Sequence, residues 1–314
     1  INYLALTQLR KGWIDAGLKT IFSPSHPDST LVTGTGSGYA ARLLSYQFTS
    51  NGSRVIRTSH GGDPPLFDDP LWPSIELPFA DKYVVNGRTA AIAANQTLSK
   101  RSESAIPHYT KSIIGGGSQY HLRIRKSAVH TAANKVKTVS VVTASFTSMH
   151  RVTPHMKLHD VVYMEWHRRL LQDIGRLGYT VLSKRHPKGM MAGTHIFSDV
   201  ADEELLQTPM SAIEDRTDAY VIDFPASALM ESICTLKPVV LIDLPIRRMR
   251  PEARALLSQS VAIVRAGYDE RNRVVIDQNE LSEGLAKPVD LDAREQLLNE
   301  YLLQPACNAS TLFE

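Results

Sequence analysis

The segment Leu182-Ser183-Lys184-Arg185-His186-Pro187-Lys188-Gly189 sets three cations around one histidine at the end of a β-like apolar run. That density of positive charge suits a phosphate better than a metal, because no second histidine or carboxylate stands at ligand spacing. Pro187 fixes the turn. Further along, the strand-like Tyr220-Val221-Ile222 runs into Asp223-Phe224-Pro225-Ala226-Ser227-Ala228-Leu229-Met230-Glu231. Ser227 then falls at a helix amino terminus, where its hydroxyl caps the helix or holds a phosphate. Glu231, one helical turn on, shares that face, where a carboxylate can accept both hydroxyls of a ribose. An exposed basic turn and a capped helix with a solvated Glu231 are the plain structural alternatives.

Two loops in the amino-terminal half carry further chemistry. Val32-Thr33-Gly34-Thr35-Gly36-Ser37-Gly38 follows a strand and precedes a helix, so Gly34, Gly36 and Ser37 form a candidate loop for an acceptor or a sugar, or simply a tight βα turn. Its glycine spacing matches neither the dinucleotide fingerprint nor the Walker form. Arg57-Thr58-Ser59-His60-Gly61-Gly62-Asp63 places His60 after a strand, with Gly61 giving the backbone freedom. His60 could shuttle a proton, and Asp63 could act as general base, as covalent nucleophile toward an anomeric carbon, or as a turn cap. The stretch from Leu66 to Pro78, with Asp68, Asp69 and Trp72, reads as an ordered loop able to wall an acceptor site.

These residues need strands that stop at a ligand-facing edge. Short Val- and Ile-rich runs occur at residues 20–22, 31–32, 55–57, 82–85, 138–142, 180–182, 219–222, 239–242 and 261–264, and helical spacing occurs at 38–48, 161–177 and 228–235. The pattern predicts an α/β protein of βαβ units. A chain of 314 residues exceeds one core of ~100 to 150 residues, which points to two wound domains, residues 1–136 and 137–314. Residues 100–135 hold the expected boundary, with Gly115-Gly116-Gly117 as a hinge, turn or surface loop and His121-Leu122-Arg123-Ile124-Arg125-Lys126 as an exposed basic face or an anion-attracting patch. A net charge of +3, from 35 Lys and Arg against 32 Asp and Glu, gives no global reason to bind nucleic acid. The two cysteines, Cys234 and Cys307, make no disulfide framework, which favours a reducing compartment. A start at Ile1, without a methionine or a leader, points to numbering that begins inside a longer gene product, the first domain being cut short.

The His186-Pro187 pair, the Asp223–Glu231 segment and the following Lys237-Pro238-Val239-Val240 together resemble the carboxyl-terminal domain of GT-B glycosyltransferases of bacterial surface-polysaccharide assembly. Relatives of that group include Kdo and sialyl transferases, CDP-glycerol glycerophosphotransferases and UDP-N-acetylglucosamine 2-epimerases. His60-Gly61 and the later Ala80-Asp81 and Gly87 follow the order of short motifs in the group's first domain. In the Kdo and sialyl enzymes an HP motif and a Ser/Thr motif hold the CMP part of the donor; His186 and Pro187 match the first, and Ser227 the second. Ala226 departs from the pattern, standing where many relatives have a second Ser or Thr.

The resemblance implies two Rossmann-type domains facing a cleft, and transfer of a sugar, CMP-Kdo being the first choice of donor, with retention, onto a surface polysaccharide or lipid-linked acceptor. In that scheme Lys184 and His186 neutralise the donor phosphate, Glu231 reads the ribose, and His60 with Asp63 handles the sugar or the acceptor proton. No metal and no cofactor beyond the nucleotide-sugar substrate is expected. Cytoplasmic placement, peripheral to the membrane at most, follows in the same way. An epimerase, a CDP-glycerol transferase and a non-catalytic nucleotide- or glycan-binding scaffold are the alternatives.

Overall fold

The computed structural model describes residues 28–36, 38–59, 66–68, 72–99, 109–110, 112–128, 136–146, 158–189, 191–246 and 248–305. It divides into two compact units, one of Ile1–Pro65, Asp69–Ser118 and Glu300–Glu314, the other of Leu66–Asp68 and Gln119–Asn299. The sequence divides the chain after residue 136, with residues 100–135 as the boundary stretch; apart from Leu66–Asp68, the units change after Ser118, and the chain returns to the first unit at Glu300.

The first unit holds a parallel sheet in the order β1 (Thr30–Thr33), β2 (Arg54–Thr58), β3 (Lys82–Asn86), β4 (Ser112–Gly116). Helix α1 (Tyr39–Ser50) connects β1 to β2, the short α2 (Trp72–Glu76) precedes β3, and α3 (Arg88–Ser99) connects β3 to β4. Consecutive parallel strands with helical crossovers are the βαβ arrangement that the alternating runs predict. Helix α3 buries Ala90, Ala91, Ala93 and Ala94, a small-residue face that seats the helix close to the sheet. Asn95 then donates to the Ile113 carbonyl at 2.8 Å and ties the helix to β4.

Of the Gly115–Gly117 triplet, expected as a hinge, a turn or a surface loop, Gly115 and Gly116 end β4 and Gly117 follows it. A Cβ on Gly116 would sit 3.0 Å from Val84 Cγ1, and one on Gly117 would sit 2.5 Å from the Leu303 carbonyl oxygen. These glycines serve close packing. Gly87 adds a backbone need, with φ +85° and a would-be Cβ 2.5 Å from the Glu300 carbonyl oxygen. Gly87→Ala is expected to destabilise the first unit by about 2–4 kcal/mol, from left-handed strain plus overpacking against backbone. Urea unfolding of the variant checks this, and a loss below about 1 kcal/mol would contradict it.

The second unit holds a seven-stranded sheet in the order β11-β10-β9-β8-β5-β6-β7, built from β5 (Thr138–Val142), β6 (Thr180–Lys184), β7 (Glu203–Leu205), β8 (Ala219–Ile222), β9 (Val239–Asp243), β10 (Ala262–Tyr268) and β11 (Val274–Ile276). Every pair is parallel except β10 with β11. Within this unit the first six strands lie in the order 3-2-1-4-5-6, the Rossmann arrangement, whose switch point falls between β5 and β8. Its helices are α4 (Gln119–Ser127), α5 (Asp160–Arg176), α6 (Ser227–Cys234), α7 (Pro251–Ser260), α8 (Gln278–Ala286) and α9 (Leu291–Leu298).

Helix α5 shows why the helical spacing was readable. It buries Tyr163, Trp166, His167, Leu170, Leu171 and Ile174, one stripe at three- and four-residue steps. Asp160 in its first turn and Arg176 in its last complement the helix dipole. The core it covers includes Val139, Val141, Val181, Ala219, Val221 and Val240 of the sheet. The α/β class with two wound sheets is therefore as expected. Among the described residues, no helix is long and apolar enough to cross a membrane.

Candidate active site

A cavity of about 390 Å³ opens at the carboxyl ends of β5, β6, β7 and β8, spanning the Rossmann switch point. In open α/β sheets this crevice is where ligands bind, since neighbouring connections leave it to opposite sides of the sheet. Lys184, His186, Pro187, Ser227 and Glu231 all line it. The structure thus brings together the five residues that spacing and resemblance assigned to a nucleotide-sugar. It also adds residues that the sequence did not mark, among them Tyr120, Thr143, Gln207 and Phe224.

Lys184 ends β6 and is buried, and its Nζ donates to the Arg185 carbonyl at 2.7 Å. Burial pulls its pKa below the ordinary lysine value, with Glu231 opposing that shift. His186 follows; its backbone N–H donates to Thr143 Oγ1 at 3.3 Å, which joins the loops after β5 and β6. The Lys188 backbone N–H approaches His186 Nδ1 at 3.1 Å, and the Lys188 carbonyl oxygen lies at the same distance. Nδ1 accepts from the first or donates to the second according to its tautomer, and either contact holds the ring through Nδ1.

The expected trio of phosphate-facing cations does not hold. Arg185 is buried and turned away from the cavity, paired with the buried Glu204 at 2.5 Å. It lies over the rings of Phe146 and Phe197 at 5.0 and 5.4 Å and donates to the Met191 and Thr194 carbonyls at 3.1 Å. A guanidinium taken out of water needs these partners, so Arg185 serves the inner wall of the loop. Glu204 completes it by accepting the Ile196 and Phe197 backbone N–H groups. Lys188 is exposed and does not line the cavity.

On the opposite side, Ser227 opens α6 after the extended Ala226, and Glu231 follows one turn on. Tyr120, in the first turn of α4, donates its hydroxyl to Glu231 Oε2 at 2.8 Å. Burial raises the Glu231 pKa above the ordinary carboxylate value, while the Tyr120 hydrogen bond and Lys184 work against that rise. Burial, with Glu231 adding to it, pushes the Tyr120 phenol up to about 12. Tyr120 therefore keeps its proton and remains a donor to the carboxylate.

Beneath the loop that leads to Ser227 lies a buried polar centre. Asp223 accepts from Tyr163 Oη at 2.8 Å and from Trp166 Nε1 at 2.9 Å, and His167 Nε2 lies 2.9 Å from its Oδ2. Burial alone would raise the Asp223 pKa, but His167 and these hydrogen bonds outweigh it and hold the group below the usual carboxylate range. Tyr163 Oη also accepts the Ala144 N–H at 2.8 Å, so one phenol links the ends of β5 and β8.

The other expected positions fall elsewhere. His60, Gly61, Asp63 and Ser37 lie outside the described residues, as does the strand expected at residues 20–22. Gly34 is exposed, and a Cβ there would meet nothing within 4 Å. Gly36 is buried, and its N–H donates to Glu76 Oε2 at 2.6 Å while Thr35 Oγ1 donates to Oε1 at 2.6 Å. A Cβ on Gly36 would stand 2.8 Å from the Ile75 carbonyl oxygen. The Gly36 amide that was expected to face a sugar or acceptor is thus taken by Glu76, and close packing requires glycine there. The segment expected as a loop at residues 66–78 contains α2, whose Trp72 packs edge-on against Tyr83 at 5.5 Å. The basic run at 121–126 lies in α4, where burial lowers the His121 pKa to about 4 and Arg125 pairs with Glu295 at 2.9 Å. Arg123 and Lys126 of the run are exposed, as the exposed-face reading has it, while His121 is buried. Among the described residues, no three His, Cys, Asp or Glu side chains group as a metal site.

No protein-family model matches the chain, and no curated protein matches it. Among solved structures it is similar to Phytolacca americana UGT2 complexed with UDP-2fluoro-glucose and pterostilbene, at 13% identity and a TM-score of 0.42, over 95% of this chain and 73% of that one. It is also similar to the wall teichoic acid polymerase TagF, at 12% identity and a TM-score of 0.28, over 60% of this chain and 50% of that one.

Proposed function

We propose that the chain is a GT-B-type glycosyltransferase whose second unit binds the nucleotide part of an activated sugar. The observation that supports this most is the convergence of Lys184, His186, Pro187, Ser227 and Glu231 on one cavity at the switch point of a Rossmann sheet. A buried ammonium, an anchored imidazole and the amino terminus of α6 suit a phosphate, and a carboxylate one turn into α6 suits the hydroxyls of its ribose. As the nucleotide leaves, Lys184, His186 and the α6 amino terminus would take up the charge that grows on its phosphate.

The HP and Ser motifs make a CMP-linked sugar, CMP-Kdo first, the donor in this reading, and a surface polysaccharide or lipid-linked glycan the acceptor. His60 and Asp63 would manage the sugar or the acceptor proton, without a metal. A thermal-shift panel of CMP, CDP, UMP, UDP and GDP tests the donor class. CMP at about 100 times its dissociation constant should stabilise the protein by about 2.7 kcal/mol. Protection by UDP with none by CMP would overturn the CMP assignment, and protection by no nucleotide would overturn the site.

A further inference from the structure

We propose that Tyr120 is a positioning residue that sets the ribose selectivity of the cavity, an inference that rests on the nucleotide reading of the site. Tyr120 Oη donates to Glu231 Oε2 at 2.8 Å, and both side chains line the same cavity. An ionised carboxylate offers about four acceptor sites on two oxygens. Tyr120 takes one of them on Oε2, which turns the carboxylate about its last torsion and leaves Oε1 and the second lone pair of Oε2 for hydroxyl donors of a ligand. A terminal carboxylate torsion is soft, so without such a partner Glu231 would sample many orientations. A diol needs two acceptor sites held at fixed spacing, and fixing the plane beforehand removes that ordering cost from binding.

Three observations favour this role over a merely structural one. Tyr120 is 51% exposed, so it contributes little to the core. Its polar end nonetheless reaches a carboxylate that burial makes harder to ionise, and its hydrogen bond pulls the other way. The ring is supported from its own helix by His121, in an edge-on contact with centroids 5.2 Å apart, so the phenol stands on a braced base.

The test is the affinity ratio of CMP to 2′-deoxy-CMP, and of UMP to 2′-deoxy-UMP, by calorimetry on the full chain. Tyr120→Phe keeps the ring and removes only the donor. The ratio should fall by about 3–10-fold in this variant, the range for one net hydrogen bond. Glu231→Gln should lower it as well, and the double variant should fall no further than the lower of the two, because Tyr120 acts through Glu231. A structural role would weaken the ribo and deoxyribo ligands alike and leave the ratio unchanged, which overturns the inference while the nucleotide site stands. Absence of nucleotide binding to the unaltered protein overturns both. A Tyr120→Phe effect that persists undiminished in the Glu231→Gln background also overturns it, since the phenol would then be acting on the ligand directly.

Discussion

Asp223→Ala is expected to destabilise the second unit by about 3–5 kcal/mol, the range for removing one partner from a buried, hydrogen-bonded charge. The substitution leaves the Tyr163 hydroxyl, the Trp166 indole N–H and the His167 ring around a void where their common acceptor stood. Each is a buried polar group, and each unmet donor costs about 1–3 kcal/mol. Asp223→Asn keeps the shape and loses the charge, and its NH₂ group is a donor facing donors, so it should recover only part of the loss. The pH dependence has a definite sign. The folded pKa of Asp223 lies below its unfolded value of about 3.9, so its contribution is fully present above that value and is lost as pH falls through the lower folded pKa. The Asn variant should therefore show a shallower fall of stability with pH below about pH 4, since the titrating group is gone. Urea unfolding followed by tryptophan fluorescence, with Trp166 in the centre itself, measures the loss. A change under about 1 kcal/mol for Asp223→Ala would contradict the account.

The β5–β8 side of the fold was legible because buried parallel strands write themselves as Val and Ile runs. Thr138–Val142 and Ala219–Ile222 coincide with the expected runs, and α5 begins and ends within one residue of its apolar stripe. The strands β7 and β11 were not, since three residues such as Glu203-Glu204-Leu205 carry no alternation and owe their pairing to the neighbours. The Gly115–Gly117 triplet reads as a hinge, a turn or a surface loop because the reason for glycine lies elsewhere in the chain, in Val84 for Gly116 and in Leu303 for Gly117. The same holds at the site. Ser227 and Glu231 share a helix, so spacing alone could place them on one face, and His186 and Pro187 carried a motif. Tyr120 had no such local partner: it reaches Glu231 across 111 residues, from the stretch expected to hold the domain boundary. Ser118 immediately before α4 was the available signal, being a residue type that starts helices. Arg185 misled for the opposite reason. Its sequence neighbours are cations, while its partner Glu204 and the rings of Phe146 and Phe197 are visible only in the fold.

That distinction between Arg185 and its neighbours yields the second large effect. Lys184→Met and His186→Ala are each expected to weaken CMP binding about 10–100-fold, because a charge-assisted hydrogen bond to phosphate is worth about 1.5–3 kcal/mol and 1.4 kcal/mol is tenfold. Methionine keeps the length and the apolar stem of Lys184 within the buried end of β6, so the lost ammonium is what the variant reports. Cytidine, which lacks the phosphate, should bind both variants nearly as it binds the unaltered protein. If Lys184 and His186 grip one phosphate, the double variant should lose less than the product of the two single losses, since either loss already loosens the shared ligand. Arg185→Met should behave otherwise. It leaves Glu204 buried without its cation and unsettles the Ile196 and Phe197 turn, so it should lower stability while changing the CMP-to-cytidine affinity ratio little in whatever protein remains folded. Calorimetric titration of CMP and cytidine against the three variants separates the roles. Lys184→Met and His186→Ala binding CMP as tightly as the unaltered protein would remove the phosphate from this end of the cavity, and a selective loss of CMP in Arg185→Met would return Arg185 to it.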